Sequence, residues 1–473
     1  MKNSKIVNLI KNFSYIITSN FLNLFVSTLV ILVLPKVIGV ASYGYWQLYT
    51  FYLTYIGFFH FGWCDGIYLK FGGKNYNDLN KQYFFSQFFQ FSSFQLILSI
   101  LVLLYSIFVI QNFEEKYIMI AISVNFLITN IRQFFIFLLQ TTNQIKQSSL
   151  IMISDRAIYV VMIVILLFSG KTSFYLMILL DNIARFISLL YSSYICKDIV
   201  FFPIKKLYIN IRESIDNILI GINLMFSNIA SSLIIGIIRF TIQRNWSIET
   251  FGKVSLTLSI SNLMMTFINA IGIVIFPILK RSKSSNLPII YKSLRNILML
   301  SMLFVLILYF PLKIILTYWL PNYSESLVFM GIIFPMTVFE SKTSLLINTY
   351  LKALRMEKVI FKVNVFTMLL SLVITLFTAF YFKNLIVVVL TIIILLAFRS
   401  ILSEIILAKH LDVAVNKDIL LELLLSFIFI LSNFLFSTIY SFIIFVSFYL
   451  LYVFIKKSDL QYTFKNFKQL IKN

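Results

Sequence analysis

Residues 178–193 read ILLDNIARFISLLYSS, an apolar run that holds Asp181 and Arg185 four positions apart. The run lies within a longer stretch, 174–195, of the length a helix needs to cross a bilayer. A charge at the centre of such a span costs about 2.5–3.5 kcal/mol on insertion scales. These two side chains must therefore face something other than lipid. At i and i+4 they share one helix face, which leaves two readings open: an ion pair that glues helices together, or the lining of a water-filled cavity.

The rest of the chain repeats the pattern. Its 473 residues are 60% hydrophobic and only 12% charged, with mean hydropathy +0.92, whereas soluble domains carry about 25% charged residues. Mostly apolar runs of spanning length fall at 14–37, 45–66, 84–109, 117–139, 150–168, 174–195, 217–240, 254–278, 296–315, 327–350, 360–381, 385–407, 419–436 and 438–455. Spans of this length satisfy their own backbone hydrogen bonds as helices, while a barrel would show short alternating segments. The expected fold is an all-α integral membrane protein of about 14 transmembrane helices. The basic start MKNSKIVNLIKNF precedes an apolar run too long for a cleavable signal and without a small-x-small site, so it reads as the first span. Cys64 and Cys196 are far apart and show no metal spacing.

Most of the 40 Lys and Arg residues fall at the two termini and in alternate connections; the opposite connections hold only Lys116, Lys171, Arg244, Lys253 and Lys383. Excess Lys and Arg mark the cytoplasmic side, so both termini are expected there, in a bacterial cytoplasmic membrane. The net charge of +22 then reflects attraction to anionic headgroups and calls for no nucleic acid. The longest connection, CKDIVFFPIKKLYINIRESID, follows six spans; six more and a final pair come after it. The expected organisation is a six-helix half over 1–196, a connecting loop over 197–216, a second half over 217–410, and a helix pair with a basic tail over 411–473. Two such halves commonly flank a midplane site in transporters.

Two stretches carry a resemblance. The first, LPKVIGVASYGYWQLYTFYLTYIGFFHFGWCDGIYLKFGGK (34–74), has Pro35, Gly39, Tyr43, Gly44, Phe61 and Gly62 at matching places. The second, IIGIIRFTIQRNWSIETFGKVSLTLSISNLMMTFINAIGIVIFPILKRS, has Arg239, Phe251, Gly252, Ser259, Pro277 and Arg281. Both resemble bacterial polysaccharide flippases, the Wzx-like group of the multidrug/oligosaccharidyl-lipid/polysaccharide exporter superfamily. The resemblance implies a substrate, an oligosaccharide repeat unit on polyprenyl diphosphate moved to the outer leaflet, and a possible association with polysaccharide polymerase machinery. Arg239 departs from the acidic residue that many of these flippases carry there.

Charges within or near the expected spans are Asp65, Arg132, Asp155, Arg156, Asp181, Arg185, Arg239, Glu340, Lys342, Arg399 and Glu404. Asp65, Asp155 and Arg156 lie close enough to span ends to snorkel. Arginine offers phosphate oxygens a planar, permanently ionised pair of donors, so Arg132, Arg185, Arg239, Lys342 and Arg399 are the candidate substrate contacts of a cationic cavity. Asp181, Glu340 and Glu404 are candidate charge partners, or sites for a coupling proton or sodium ion. Arg399 and Glu404, at i and i+5, pair poorly along one helix. Asn125 and Asn182 can bind sugar hydroxyls or bridge helices. Pro335 lies deepest of the span prolines and is the candidate hinge.

No nucleophile constellation, metal spacing or Gly-rich phosphate loop is present, so no cofactor, metal or catalytic residue is expected and the protein is not read as an enzyme. A multidrug exporter of the same superfamily is the nearer rival to a flippase. A membrane polymerase or glycosyltransferase is the more distant one.

Overall fold

The computed structural model describes residues 26–170, 173–281 and 286–463, with the backbone alone over 266–281. No strand occurs among the described residues. The helices are α1 (Val26–Ile38), α2 (Val40–Ile56), α3 (Trp63–Phe71), α4 (Lys81–Phe108), α5 (Phe113–Thr141), α6 (Ile145–Phe168), α7 (Phe174–Ile195), the short α8 (Lys197–Val200), α9 (Ile211–Asn245), α10 (Ile248–Arg281), α11 (Leu287–Val305), α12 (Tyr309–Trp319), α13 (Ser326–Ile333), α14 (Met336–Ser341), α15 (Asn348–Ala353), α16 (Glu357–Phe377), α17 (Leu385–Leu411), α18 (Asn416–Leu435) and α19 (Thr438–Ile455).

Among the described residues each of the expected spans falls on a helix or a helical stack, and 11 helices or stacks are long and apolar enough to cross a membrane. The protein is an all-α integral membrane protein. The first span's residues 14–25, the side chains of Pro277 and Arg281, and the tail beyond 463 lie outside what is described. The chain divides into two compact units, Met1–Ile229 and Ala230–Asn473. The division falls within α9.

In the first unit α5 is the buried axis, packed by α2, α3, α4, α6 and α7. Its inner face joins an aromatic core of Trp63, Phe84, Phe91, Phe134 and Phe135. The second expected span is not continuous. α2 stops at Ile56 and α3 begins at Trp63; between them Phe61 and Gly62 adopt left-handed backbone angles, φ 49° and 85°, which end a helix. The Phe59 carbonyl freed by the break accepts from Gln95 Nε2 at 3.0 Å, and Gln95 Oε1 accepts from Asn130 at 2.7 Å, so polar groups exposed by the break are satisfied within the protein.

The start of α9 crosses α3 backbone to backbone. A Cβ on Gly66 would stand 1.7 Å from the Asn217 carbonyl oxygen, and one on Gly221 would stand 2.0 Å from that of Gly62. Gly62 and Gly66, four apart on the α3 side, and Gly221 on α9 permit this approach. Asn217 then bonds Gln87 Oε1 at 3.0 Å and the Tyr83 hydroxyl at 2.9 Å.

In the second unit the stack from α13 to α15 is the buried axis, packed by α10, α11, α17 and α18. Pro335 stands at the break between α13 and α14, where it lacks the N–H that would continue the helix. A π-helical stretch, Lys342–Ile347, follows before α15. Such wide turns recur at functional positions in helices.

Candidate functional site

α7 shows why two charges occupy the middle of an apolar run. Its buried residues, including Met177, Ile178, Asp181, Ala184, Arg185, Ser188 and Ser192, recur at three and four positions and form one inward stripe. Asp181 and Arg185 are 3% and 6% exposed, so the stripe puts both against α2, α5 and α6 and away from lipid. Arg185 Nε donates to Asp181 Oδ2 at 2.7 Å. The Tyr49 hydroxyl of α2 donates to the same oxygen at 2.7 Å and accepts from Asn125 at 2.9 Å. Asn125 also donates to Asn182 Oδ1 at 2.7 Å.

One turn on, Arg132 of α5 pairs with Asp155 of α6 at 2.7 Å and reaches Ser188 at 3.4 Å. Asp155 does not snorkel. It is 4% exposed, because α6 extends a turn below its apolar run and carries the carboxylate inward. Arg132 and Arg185 thus belong to one charge-balanced, buried assembly with Asp155 and Asp181. Trp46 stacks on Tyr159 beside it, ring centroids 5.7 Å apart, and the buried Tyr159 hydroxyl has no hydrogen-bond partner among the described residues.

The second unit holds a denser cluster. Lys342 Nζ lies 2.6 Å from Glu404 Oε2 and 2.7 Å from Glu422 Oε2. Arg295 Nε lies 2.6 Å from Glu404 Oε1, and its Nη2 2.8 Å from Glu422 Oε1. The four side chains are all but sealed from solvent, at 0–1% exposure. Asp418 extends the cluster from Arg295 Nη1 (3.3 Å) to Lys456 (2.6 Å), and Lys456 continues to Asp459 at 2.8 Å. Alternating charges that each meet two or more opposite partners suit a dry interior, where an unpaired charge would be very costly.

Glu404 therefore pairs with Arg295 and Lys342, and Arg399 takes Glu340 and the Ser231 hydroxyl instead. Arg239 donates to Ser255 at 3.0 Å and lies over the Phe251 ring. The candidate cations of this unit thus occupy separate settings: Lys342 in the sealed cluster, Arg399 with Glu340, and Arg239 against Ser255. Arg295, Asp418 and Glu422 escaped the sequence reading because each sits at or just inside an expected span end. The available signal was the i and i+4 spacing of Asp418 with Glu422 and of Tyr291 with Arg295. Tyr291 donates to Glu404 at 3.0 Å.

Helical spans with apolar exteriors and their charges turned inward define a polytopic membrane protein with ionised interior surfaces. No protein-family model and no curated protein matches the sequence. Solved structures do match the fold. A multidrug-resistance MATE-family transporter of the MOP superfamily, inward-facing, aligns with TM-score 0.63 and 12% identity over 83% of this chain and 98% of its own. The lipid II flippase MurJ, in an inward closed conformation, aligns with TM-score 0.59 and 14% identity over 95% and 99%. A MOP-superfamily transporter from Pyrococcus furiosus, described as having a binding pocket of reversed polarity, aligns with TM-score 0.55 and 13% identity over 85% and 96%. The chain has the fold of MOP-superfamily exporters and flippases.

Proposed function

We propose that the protein is a transporter that flips polyprenyl-diphosphate-linked oligosaccharide repeat units from the cytoplasmic to the outer leaflet, for surface polysaccharide synthesis. The fold shared with MurJ and the MATE transporters supports a flippase or exporter. The observation that carries the substrate class is the pair of buried arginines, Arg132 and Arg185, each held by its own carboxylate, with Asp181 linked through the Tyr49 hydroxyl to the amides of Asn125 and Asn182. Guanidinium groups suit a diphosphate, and amides suit sugar hydroxyls. On this reading Arg239 and Arg399 serve as further cationic contacts, and Lys342 serves in a conformation that frees it from Glu404 and Glu422. Asp181, Glu340 and Glu404 compete with substrate for the cations, which keeps release fast, or bind a coupling proton or sodium ion. Two six-helix halves alternate access, with Pro335 as a hinge and both termini in the cytoplasm.

The test is reconstitution in liposomes with a fluorescent lipid-linked oligosaccharide in the inner leaflet. Protein-dependent flipping under an imposed ion gradient or membrane potential is the expected result. Absence of translocation under every gradient refutes the reading, and efflux of cationic drugs in its place favours a multidrug exporter.

A further inference from the structure

Every described carboxylate buried in the helical interior has a permanent cation beside it, with one exception. Asp155 has Arg132, Asp181 has Arg185, Glu404 has Arg295 and Lys342, Glu422 has both of the latter, and Asp418 has Arg295 and Lys456. Asp65, 5% exposed, has no Lys or Arg within ion-pair distance among the described residues; its partner is His60 Nε2 at 3.6 Å. His60 is itself 5% exposed and belongs to the turn that breaks the second span.

The tautomer of His60 follows from the backbone. The Gly62 N–H donates to His60 Nδ1 at 3.0 Å, so Nδ1 carries a lone pair, and the one ring proton of the neutral imidazole sits on Nε2, the nitrogen 3.6 Å from Asp65 Oδ2. A protonated Nδ1 would oppose the Gly62 N–H and forfeit that hydrogen bond. Imidazolium is therefore excluded while the turn is packed, and Asp65 has no cation. A bare carboxylate buried in this way costs several kcal/mol. From α5 the Phe137 ring meets His60 edge-on, centroids 6.1 Å apart. From α9 Gly221 bears on the Asp65 Cβ, 2.9 Å from its own virtual Cβ, and Asn217 bears on Gly66. The Cys64 thiol beside Asp65 is a further titratable neighbour.

We infer that Asp65 is a proton-binding site: the packed turn holds a neutral carboxylic acid, and loss of that proton requires the turn to part from α9 and admit water. His60 is its positioning residue. Because the packed state binds the proton more tightly, low pH favours packing of Gly62 and Gly66 on α9 and high pH favours opening. As a coupling site for transport the pair rests on the proposed function; as a proton-operated contact between α3 and α9 it does not.

The test uses the full chain in liposomes with H410Q, which leaves His60 as the single histidine of two. Infrared difference spectra are expected to show a carboxylic acid C=O band that disappears as pH rises, is absent in D65N and moves in frequency in D65E. Imidazole 15N shifts are expected to show neutral, Nε2-protonated His60 wherever that band is present. Amide exchange over residues 62–66, taken relative to D65N at each pH, is expected to rise by up to about tenfold per pH unit between the titration points of the two states. A band indifferent to D65N and D65E, an imidazolium His60 with the Gly62 amide still protected, or identical exchange in wild type and D65N overturns the inference. None of these readouts requires substrate, so failure of lipid flipping leaves the proton site standing, and failure of the infrared band leaves flipping untouched.

Discussion

Replacing Arg295 with Met tests whether the second unit depends on its sealed charge cluster. Arg295 is 1% exposed at its side chain and meets Glu404, Glu422 and Asp418 at 2.6, 2.8 and 3.3 Å. Asp418 keeps Lys456, but Glu404 and Glu422 would be left to share Lys342, which leaves one negative charge without compensation in a dry site. Removing one partner of a buried pair costs about 3–5 kcal/mol. For a unit of this size about 2–4 °C is lost per kcal/mol, so the apparent midpoint of thermal unfolding in detergent, at fixed scan rate, should fall by roughly 10 °C. R295M combined with E422Q restores the balance of charge around Lys342 and Glu404. It should recover half or more of the loss, a coupling of about 2 kcal/mol between sites that touch. A single-mutant loss below about 1 kcal/mol, or strictly additive effects, refutes the account of the cluster as mutually compensating charges.

Three further outcomes follow from the first unit. Gly66→Ala places a Cβ 1.7 Å from a backbone oxygen of α9; neither backbone can yield cheaply, so the variant should fail to give a monodisperse species on size exclusion while Gly73→Ala, where a Cβ meets nothing but the backbone φ is 88°, should be milder. Arg185→Gln strands Asp181 and should cost about 3–5 kcal/mol in detergent; unchanged flipping together with that loss would make the pair structural and remove Arg185 from the proposed site. In the connection outside the spans, desolvation raises the Asp198 carboxyl, and hydrogen bonds from Lys81 and Tyr76 outweigh it, so the group ends below its usual range. Stability from this tie is present above the unfolded value near pH ~4 and is lost as pH falls through the lower folded value. Pepsin should therefore begin to cut the 72–80 connection at a higher pH in Asp198→Asn than in wild type.

The spans were legible because hydropathy is a local property: a run of about 20 apolar residues becomes a membrane helix whatever its neighbours do. The break at 57–62 was not, since Phe and Gly are common in spans and only the left-handed Phe61–Gly62 pair and the close approach of α9 stop the helix there. Charge partners divide in the same way. Asp181 and Arg185 share one helix face, and spacing alone pairs them. Arg399 with Glu340, Arg132 with Asp155, and Arg295 with Glu404 and Glu422 join different helices, and packing chooses among partners that sequence leaves equivalent.

That choice alters how the cations can act on the proposed substrate. Arg132 and Arg185 are not bare charges waiting in a vestibule; each is already neutralised at 2.7 Å. An incoming diphosphate must take an arginine from an aspartate, and the displaced carboxylate must find water or a proton. Attraction from a distance is then weak, and on the proposed reading selectivity rests on exchange: a ligand with two adjacent anionic oxygens can replace a carboxylate in bidentate fashion, while a cationic ligand cannot. Tyr49, whose hydroxyl donates to Asp181 independently of Arg185 and is itself held by Asn125, keeps the carboxylate in place while the arginine changes partners.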